Sequence, residues 1–510
     1  MALFCFLKFC YYYSSELLKL KGSVMRALEH DWLRRLLWGC TFDDFGIRPQ
    51  RGIVNSRKDI KLNSKFSEHI NLNIPLVSAN MDTVTGSRMA IVHAKKGGIG
   101  IIHRFLTIED ECNKVAEVKR EENYIISKPY SISPKETISR AREIMEENKV
   151  GGLVVVDNNG KLQGIITHRD IRYCSGELIV KDRMMVGHRV ITARLSEITL
   201  ERAKEIMDYH RLEKLPIVDE DFILRGLITS IDIDNLEKFP LANKDKNGQL
   251  VVGAAIGVTG DYLERAQELL KAGVDVLVVD IAHGHSEGGE RALTTCRKKF
   301  PDAELIVGNV ATAEAVLKFQ QLGANGIKVG IGPGSACMTR YYTNIASPQA
   351  AAIYECGQAA NVPIIADGGI RRDGHIFLAL LLGGDSVMMG GRYAGTDETP
   401  GRIITKSNGD RVKTFRGMAS REAMREKKRA EFAEDPFEAS ERISPEGKEE
   451  EVKYKGPIVP IIDDMMGHLA SAISYMGVRS FQEAKEKFMA NPMDYIIKLS
   501  ESAKRESWDR

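Results

Sequence analysis

Short apolar runs alternate with amphipathic stretches along most of this chain. The runs at residues 251–258, 274–282 and 303–310 are each followed by a stretch with apolar residues at helical spacing. Continuous apolar runs of this length are typical of strands that are buried on both faces of a parallel sheet. The pattern therefore predicts an α/β fold in which strand–helix units repeat and close into a (β/α)8 TIM barrel.

Glycine and polar residues follow the predicted strands at their carboxyl ends. A TIM barrel builds its site at this edge, because the loops after all the strands meet there. A doubly wound sheet is the alternative architecture, but no GxGxxG motif opens a helix after a strand, as a dinucleotide-binding sheet of that kind requires. The residues at the strand ends are Asn80, Asp280, Asn309, Gly332, Asp367 and Gly390.

An internal repeat interrupts the alternation. The segment GLVVVDNNGKLQGIITHRDI begins at Gly152, and KLPIVDEDFILRGLITSIDI begins 62 positions later at Lys214. Each copy ends with a T-x-x-D sequence at the predicted start of a helix. One copy cannot bury its apolar face alone, so we expect the two copies to pack as a pair. The T-x-x-D residues are Thr167 and Asp170 in the first copy, and Thr229 and Asp232 in the second.

The chain therefore divides into four segments. Residues 1–37 form an amino-terminal extension, whose native status the sequence leaves open. Residues 38–125 supply the first part of the barrel, and residues 126–236 hold the repeat pair as an insert. Residues 237–510 supply the rest of the barrel, with a catalytic loop and a charged flap at about 417–456.

Composition and charge exclude several classes of function. The net charge is only +2, so no strong field recruits nucleic acid or an anionic membrane surface. The eight cysteines contain no CxxC pair, which favours a reducing compartment over a disulfide scaffold or a zinc site. The apolar run at residues 2–13 is too short to span a bilayer. We therefore expect a cytoplasmic protein without a membrane or nucleic-acid partner.

The segment KVGIGPGSACMTR, at residues 328–340, holds the sharpest candidate chemistry. Gly330, Gly332 and Gly334 form a loop whose backbone carbonyls suit a monovalent cation, and Cys337 follows at once. A lone cysteine after a strand is most often packed in a core, but the glycine-rich loop favours an exposed, reactive thiol here. We therefore interpret Cys337 as a nucleophile.

Two glycine pairs, Gly368–Gly369 and Gly390–Gly391, follow consecutive late strands. Backbone N–H groups at such turns can bind a phosphate, and Asp367 beside the first pair can bind ribose hydroxyls. Asp280 ends another strand beside two histidines, whose role the sequence leaves open. The charged stretch after Gly417 is either a solvated loop or a flap that closes over the site and excludes water.

These motifs together resemble one family, inosine monophosphate dehydrogenase and GMP reductase, over about residues 38–482. The shared motifs are GIGPGSxCxTR, SAxMDTVT, DGGIR and the repeat, which resembles a tandem pair of CBS domains. The resemblance implies that Cys337 attacks C2 of a purine nucleotide and that hydride passes between C2 and a nicotinamide dinucleotide. A dehydrogenase converts IMP, NAD and water to XMP and NADH. A reductase converts GMP and NADPH to IMP and ammonia.

The resemblance also implies roles for individual residues. Four match catalytic positions: Cys337, Thr339, Glu446 and Arg429. Seven match substrate contacts: Met81, Ser335, Asp367, Gly369, Gly390, Gly391 and Met418. Asp280, Asn309 and Gly330 match the dinucleotide side, and the carbonyls of Gly332, Gly334 and Cys337 match a potassium site. Thr167, Asp170, Thr229 and Asp232 match positions where the repeat binds adenine or guanine nucleotides, and the family implies a homotetramer or octamer.

Departures from the family pattern divide the expected direction of the reaction. The flap reads Arg429-Ala430, without the tyrosine that follows the flap arginine in dehydrogenases, and Phe415 stands where a phosphate-binding tyrosine is usual. Asn80 and Gly391 are reductase-like, whereas the repeat pair and the long flap are dehydrogenase-like. We expect an IMP dehydrogenase, with GMP reductase as the alternative. A nucleotide-sensing regulatory protein without catalysis is the hypothesis from another class.

Overall fold

The computed structural model describes most of the chain. The described residues are 30–121, 126, 129–148, 150–187, 190–230, 233, 239–432 and 444–508. They fall into two compact units. The first unit comprises the described parts of Met1–Val118, Leu241–Asn243 and Leu250–Arg510, and the second those of Lys119–Pro240 and Lys244–Gln249.

The first unit contains a closed barrel of eight parallel strands. Neighbours in the barrel follow chain order, and the last strand closes on the first, where Val387 pairs with Leu76. The second and third strands are adjacent although the repeat lies between them in sequence, because Val252 pairs with Gly100. The expected TIM barrel is therefore confirmed. Its strands are β1 (Leu76–Ser78), β2 (Ile99–Ile102), β3 (Val252–Ile256), β4 (Val276–Asp280), β5 (Leu305–Val310), β6 (Gly326–Val329), β7 (Ile364–Asp367) and β8 (Ser386–Met389).

Each barrel strand is followed along the chain by a helix. Polar side chains cap several of these helices: Ser286 accepts from the N–H of Gly289, and Thr312 accepts from that of Ala315. The helices are α1 (Ser87–Lys95), α2 (Ile108–Arg120), α3 (Tyr262–Lys271), α4 (Glu287–Lys299), α5 (Ala313–Gln321), α6 (Gln349–Ala359), α7 (Asp373–Leu381) and α8 (Val459–Tyr475).

Both faces of the barrel strands are buried, which explains their continuous apolar runs. Along β4, Val276 and Val278 belong to the core inside the barrel. The alternate residues Leu277 and Val279 belong to the core between the barrel and its helices. Side chains of successive strand residues point to opposite faces, so a strand between two cores needs apolar residues at every position.

Further elements complete the first unit. An antiparallel sheet of Ile404–Thr405, Arg411–Arg416 and Glu449–Lys453 carries the flap, whose helix is Arg421–Phe432. Among the described helices, none is both long and apolar enough to cross a membrane. The remaining elements are Phe42–Asp44, Phe45–Ile47, Arg57–Asp59, Ser64–Lys65, Asn71–Leu72, Thr339–Thr343, Phe481–Ala490, Pro492–Asp494, Ile496–Lys498 and Glu501–Trp508.

The second unit contains two three-stranded sheets with the same topology. In each sheet a short strand pairs in parallel with a central strand, which pairs antiparallel with a third. The first sheet consists of Ser131–Ile132, Gly152–Val156 and Leu162–Thr167, and the second of Ala193–Arg194, Lys214–Val218 and Leu224–Thr229. The helices of this unit are Ile138–Glu147, His168–Ile171, Val180–Asp182 and Leu200–His210.

The two copies of the repeat pack against each other within this unit. They share a small core of Val154, Leu162, Val218 and Leu227. The N–H of Leu162 also donates to the carbonyl of Phe222 at 3.0 Å. Since corresponding strands begin 62 positions apart in the two sheets, the sequence offset is also the structural offset.

We predict that excision of residues 126–236, with a short glycine linker in their place, leaves a barrel that unfolds cooperatively. The chain enters and leaves the repeat at contacting residues: Lys119 Nζ is 3.0 Å from Asp245 Oδ2, and Gln249 Nε2 donates to the Lys119 carbonyl at 3.1 Å. The m-value, which is the dependence of the unfolding free energy on urea concentration, should be lower than that of the full chain because less surface is exposed on unfolding. A gradual, non-cooperative transition of the excised chain would contradict the four-segment interpretation.

Candidate active site

A cavity of about 1430 Å³ opens at the carboxyl ends of the barrel strands. Residues that follow β1, β2 and β4 to β8 line it, and Met418 and Glu446 of the flap line it as well. Pockets for a single small ligand usually measure about 300–1,000 Å³. This cavity therefore has room for two ligands side by side.

Cys337 lies partly exposed in this cavity, at the start of a chain of hydrogen bonds. Its Sγ lies 3.4 Å from Oγ1 of Thr339, and that hydroxyl donates to Oε2 of Glu446 at 2.7 Å. A thiol, a hydroxyl and a carboxylate in this order give the proton of the thiol a route to the carboxylate. The arrangement can produce a thiolate nucleophile inside the cavity.

Backbone hydrogen bonds hold the returning segment of the flap against the Cys337 loop. The N–H of Met338 donates to the carbonyl of Glu446 at 2.7 Å, and that of Lys448 donates to the carbonyl of Ala336 at 3.0 Å. A Cβ at Gly447 would lie 2.6 Å from the backbone nitrogen of Ser420, so only glycine permits this close approach. The position of Glu446 is thus set by the backbone.

A buried lysine lies beneath the cavity. Lys328, on β6, is 3% exposed, and its Nζ lies 2.8 Å from Asp280 Oδ1 and 3.2 Å from Asp367 Oδ2. It also donates to Oδ1 of Asn309, whose Nδ2 donates to Asp367 Oδ2 at 2.9 Å. One ammonium group therefore joins the ends of β4, β5 and β7.

The carboxylates determine the protonation state of this cluster. Burial alone would lower the pKa of Lys328, but the charges of Asp280 and Asp367 raise it above its usual value. Burial alone would raise the pKa of Asp280, but Lys328 and Arg104 lower it. The charged pair consequently stabilises the fold between the ordinary pKa values of the two groups, from about pH 4 to about pH 10, and the contribution is lost outside that window.

A helical turn follows β8 and carries the second glycine pair. The N–H groups of Tyr393 and Ala394 both donate to the carbonyl of Gly390 at 3.0 Å. In such a turn the first N–H groups are unpaired and point back towards its start, where they can bind an anion. A Cβ at Gly391 would lie 2.8 Å from Oγ of Ser335 and 3.8 Å from the Phe415 ring, so these side chains border the same place.

Arg392 connects this turn to the loop that holds the first glycine pair. It donates to the carboxylate of Asp373, and its second guanidinium nitrogen donates to the carbonyl of Arg371 at 3.4 Å. The two glycine pairs are thereby fixed relative to each other. Two such pairs beside a cavity are suited to bind a phosphate group.

The sequence matches a known domain over nearly its whole length. Residues 39–508 match the IMP dehydrogenase / GMP reductase domain. The chain belongs to this family. It is 45% identical over 453 residues to inosine-5'-monophosphate dehydrogenase of Nitrosopumilus maritimus. The aligned residues cover 88% of this chain and 94% of that protein. It is 41% identical over 452 residues to the enzyme of the same name from Halalkalibacterium halodurans. Here the aligned residues cover 88% of this chain and 92% of the relative.

A solved structure from the family has the same fold. It is a variant of GMP reductase from Trypanosoma brucei in complex with guanosine 5'-monophosphate. The two chains superpose with a TM-score of 0.84 at 38% identity, over 92% of this chain and 97% of the other. Sequence relatives named for one reaction and a structural neighbour named for the other both fit the family membership.

Nearly all the residues that the sequence suggested for the barrel site lie around the one cavity. They are the residues suggested for the substrate, for the dinucleotide and for the cation, together with Cys337, Thr339 and Glu446. The lining residues from that set are Met81, Asp280, Asn309, Gly330, Gly332, Gly334, Ser335, Cys337, Thr339, Asp367, Gly369, Gly390, Gly391, Met418 and Glu446.

Arg429 is not among the residues that line the cavity. It lies exposed on the flap helix, whose Met424 and Lys427 do line the cavity. Residues three apart share a helix face, whereas Arg429 follows Lys427 by two residues and so lies on another face. The resemblance assigns a catalytic role to Arg429, and on the flap helix of this structure it is Lys427 that lines the cavity.

Sequence reasoning missed two buried residues that organise the site. Lys328 was treated only as the first letter of the cysteine motif, within an otherwise apolar run. Gln349 was not singled out, yet its Nε2 donates to the carbonyls of Val329 and Asp367, at 2.9 Å each. A charged residue inside a buried strand was the available signal for Lys328, since such residues are almost always paired.

The T-x-x-D sites of the repeat are described in part. Asp170 accepts from the N–H of Thr167 at 2.8 Å and from its hydroxyl at 2.7 Å, both through Oδ2. This is a capping box at the start of a helix. Thr229 ends the corresponding strand in the second copy. Asp232 lies outside the described residues.

We predict that Lys328→Met lowers the free energy of unfolding by about 3–5 kcal/mol, because two partly buried carboxylates then lose their cation. Urea denaturation followed by circular dichroism measures the change. Lys318→Met is the matched control: its ion pair with Glu290 at 3.2 Å is well exposed and should be worth less than about 1 kcal/mol. Equal losses in the two variants would contradict a central role for Lys328.

Proposed function

We propose that this protein is an IMP dehydrogenase that converts IMP, NAD and water to XMP and NADH through a covalent adduct between Cys337 and C2 of the purine. The observation that carries the proposal is the hydrogen-bonded chain of Cys337, Thr339 and Glu446 inside a cavity bordered by two glycine pairs. The names of the sequence relatives support the dehydrogenase direction. Guanine nucleotide biosynthesis is the process that this reaction serves.

The nucleotide binds with its phosphate at the glycine pairs and its base at the cysteine. Gly369, Gly390, Gly391 and Ser335 hold the phosphate, and Asp367 accepts hydrogen bonds from the ribose hydroxyls. Met81 and Met418 pack against the base. A Cβ at Gly390 would lie 2.6 Å from Sδ of Met81, which supports a base close to the phosphate turn.

The proton of the Cys337 thiol passes through the Thr339 hydroxyl to Glu446 as sulfur bonds to C2. Glu446 releases this proton to solvent, so that the same pair can take a proton from the water that later adds to C2. The Cys337 thiolate leaves as XMP forms and takes that second proton back. Each step moves one proton onto a carboxylate that already accepts a bond from Thr339 at 2.7 Å. The relay therefore serves both halves of the reaction.

Asp280, Asn309 and Gly330 are the residues that hold the dinucleotide in this proposal, and the size of the cavity supports a second ligand beside the nucleotide. When bound, the nicotinamide accepts the hydride that leaves C2. The carbonyls of Gly332, Gly334 and Cys337 hold a potassium ion that keeps the loop in shape. The tight curl of that loop, with the Cys337 N–H donating to the Gly334 carbonyl at 3.1 Å, is compatible with such a site.

GMP reductase is the second candidate, in which GMP, NADPH and protons give IMP, NADP and ammonium. The flap favours it, because its helix presents Lys427 and no Arg-Tyr pair to the cavity. The structural likeness to a GMP reductase also supports it.

Purified protein supplied with IMP and NAD, or with GMP and NADPH, distinguishes the two reactions by the change in absorbance of the reduced nicotinamide. A nucleotide sensor without catalysis is opposed by the complete Cys337 relay.

We also propose that the repeat is a tandem CBS pair that binds adenine or guanine nucleotides at Thr167, Asp170, Thr229 and Asp232. Because Asp170 uses Oδ2 for its capping box, Oδ1 is the oxygen that accepts the ribose hydroxyl. We further propose a homotetramer, which can associate to an octamer.

We predict that Cys337→Ala abolishes turnover and leaves binding of the nucleotide nearly unchanged. The covalent bond to C2 is lost, whereas the phosphate contacts at the glycine pairs are retained. Steady-state kinetics and calorimetric titration with IMP measure the two quantities. Cys356→Ala is the control, because Cys356 is fully buried on α6 and does not line the cavity. Activity above a few per cent in Cys337→Ala would exclude the covalent mechanism.

We predict that Glu446→Gln lowers kcat at least about a hundredfold, a typical loss for a general base, while Arg429→Ala lowers it less than about tenfold. The amide cannot take the proton from Thr339, but Arg429 lies exposed and away from the cavity. Rates of XMP formation, or of GMP reduction, measure both. Glu449→Gln, on the exposed neighbouring strand, is the control for the charge change. A larger loss for Arg429→Ala than for Glu446→Gln would show that the flap arginine is the base.

A further inference from the structure

Lys455 lies two residues beyond the last strand of the flap sheet, Glu449–Lys453, and lines the cavity. Its Nζ donates to the carbonyl oxygen of Gly391 at 3.2 Å and to that of Arg392 at 3.0 Å. Both carbonyls belong to the helical turn that follows β8. A flap residue thus binds the backbone of the second glycine pair.

The carbonyl and N–H groups of this turn point in opposite directions, and Lys455 contacts only the carbonyls. Carbonyls in a helical turn point along the chain, and the first N–H groups point back towards its start. The ammonium group therefore lies at the carbonyl end of the turn, and the first N–H groups belong to its opposite end. Ser335 borders the turn at Gly391, where a Cβ would lie 2.8 Å from its Oγ. A cation at the carbonyl end and an anion at the amide end are the two favourable placements of charge on a helical dipole.

The backbone around Lys455 is fixed on both sides. Its own N–H donates to the carbonyl of Gly395 at 2.9 Å, and the N–H of Asp397 donates to the carbonyl of Gly456 at 2.9 Å. The hydroxyl of Tyr454 donates to Oδ1 of Asp397 at 2.7 Å. The flap strand is therefore attached to the chain just beyond the turn, and the lysine side chain starts from a defined position.

Two other side chains at this turn, those of Phe415 and Arg392, are not placed to hold its carbonyls. The ring of Phe415 borders the glycine pair but has no group that donates a hydrogen bond. Arg392 is paired with the carboxylate of Asp373. Binding of a phosphate here depends on the backbone N–H groups, and their direction depends on what holds the carbonyls behind them.

We propose that Lys455 is a positioning residue for the phosphate of the substrate: it holds the carbonyl end of the Gly390–Ala394 turn, so that the amide end faces the phosphate, and it thereby links the flap to phosphate binding. The proposal rests on the proposed function, since it takes the phosphate of a purine nucleotide to bind at this turn. It adds a residue of the flap to the phosphate subsite.

Protection of Cys337 from alkylation by iodoacetamide tests this without any need for turnover. The half-protecting concentration of IMP should rise about fivefold in Lys455→Met, the upper size of an exposed charge–dipole contact, and stay within about twofold in Lys455→Arg. Lys453→Met, at the exposed last residue of the preceding strand, should leave it unchanged. The half-protecting concentration of inosine, which has no phosphate, should be the same in Lys455→Met as in the wild type.

Several outcomes overturn the proposal. Equal shifts for IMP and inosine in Lys455→Met indicate a general structural role, and no shift for IMP removes any role in phosphate binding. If Lys455→Met does not fold, Lys455→Gln replaces it, because the glutamine side chain is polar but has no charge and ends one bond short of the position of Nζ. Unchanged protection by IMP in that variant also overturns the proposal. If neither IMP nor GMP protects Cys337 of the wild type, the proposed function itself fails.

Discussion

The backbone pairing between the Cys337 loop and the returning segment of the flap is the constraint on which the rest of the site depends. Met338 and Lys448 each donate an N–H across it, at 2.7 and 3.0 Å, so the main chain of Glu446 cannot move away from Thr339 without breaking both bonds. The backbone bonds consequently position the carboxylate beside Thr339, which is the preorganisation that proton transfer needs. The flap thus has one segment that is paired with the Cys337 loop and a helix that lines the cavity through Met424 and Lys427.

The buried charge of Lys328 is the electrostatic counterpart of this pairing. Lys328 lies on β6, the strand that leads into the Cys337 loop, and contacts carboxylates at the ends of β4 and β7. Lys328 lowers the pKa of Asp280, and its ammonium lies 3.2 Å from the carboxylate of Asp367, the residue that we propose binds the ribose hydroxyls. The cation that stabilises the barrel also prepares two binding groups.

The parts of the molecule that were predictable from sequence depend on local patterns. Alternating apolar runs predicted the barrel, and a repeat offset of 62 positions reappears in the bounds of both three-stranded sheets. Lys328 was missed because its partners lie 19, 39 and 48 positions away along the chain, and only the closed barrel brings them together. Arg429 was chosen from the family resemblance, whereas the phase of the flap helix, which depends on how its buried Ala423 packs, puts Lys427 at the cavity.

The same covalent centre suits either direction of the reaction, so the flap carries the distinction. In the proposed mechanism, attack of Cys337 on C2 and transfer of hydride are common to both reactions, and the relay through Thr339 and Glu446 can accept a proton from water or return one to departing ammonia. An arginine can act as a base only when it is held and desolvated, since its free pKa exceeds about 12. Arg429 is exposed, so it meets neither condition in this arrangement. The relay has both the position and the carboxylate that a base requires, which supports the proposed role of Thr339 and Glu446 in either direction of the reaction.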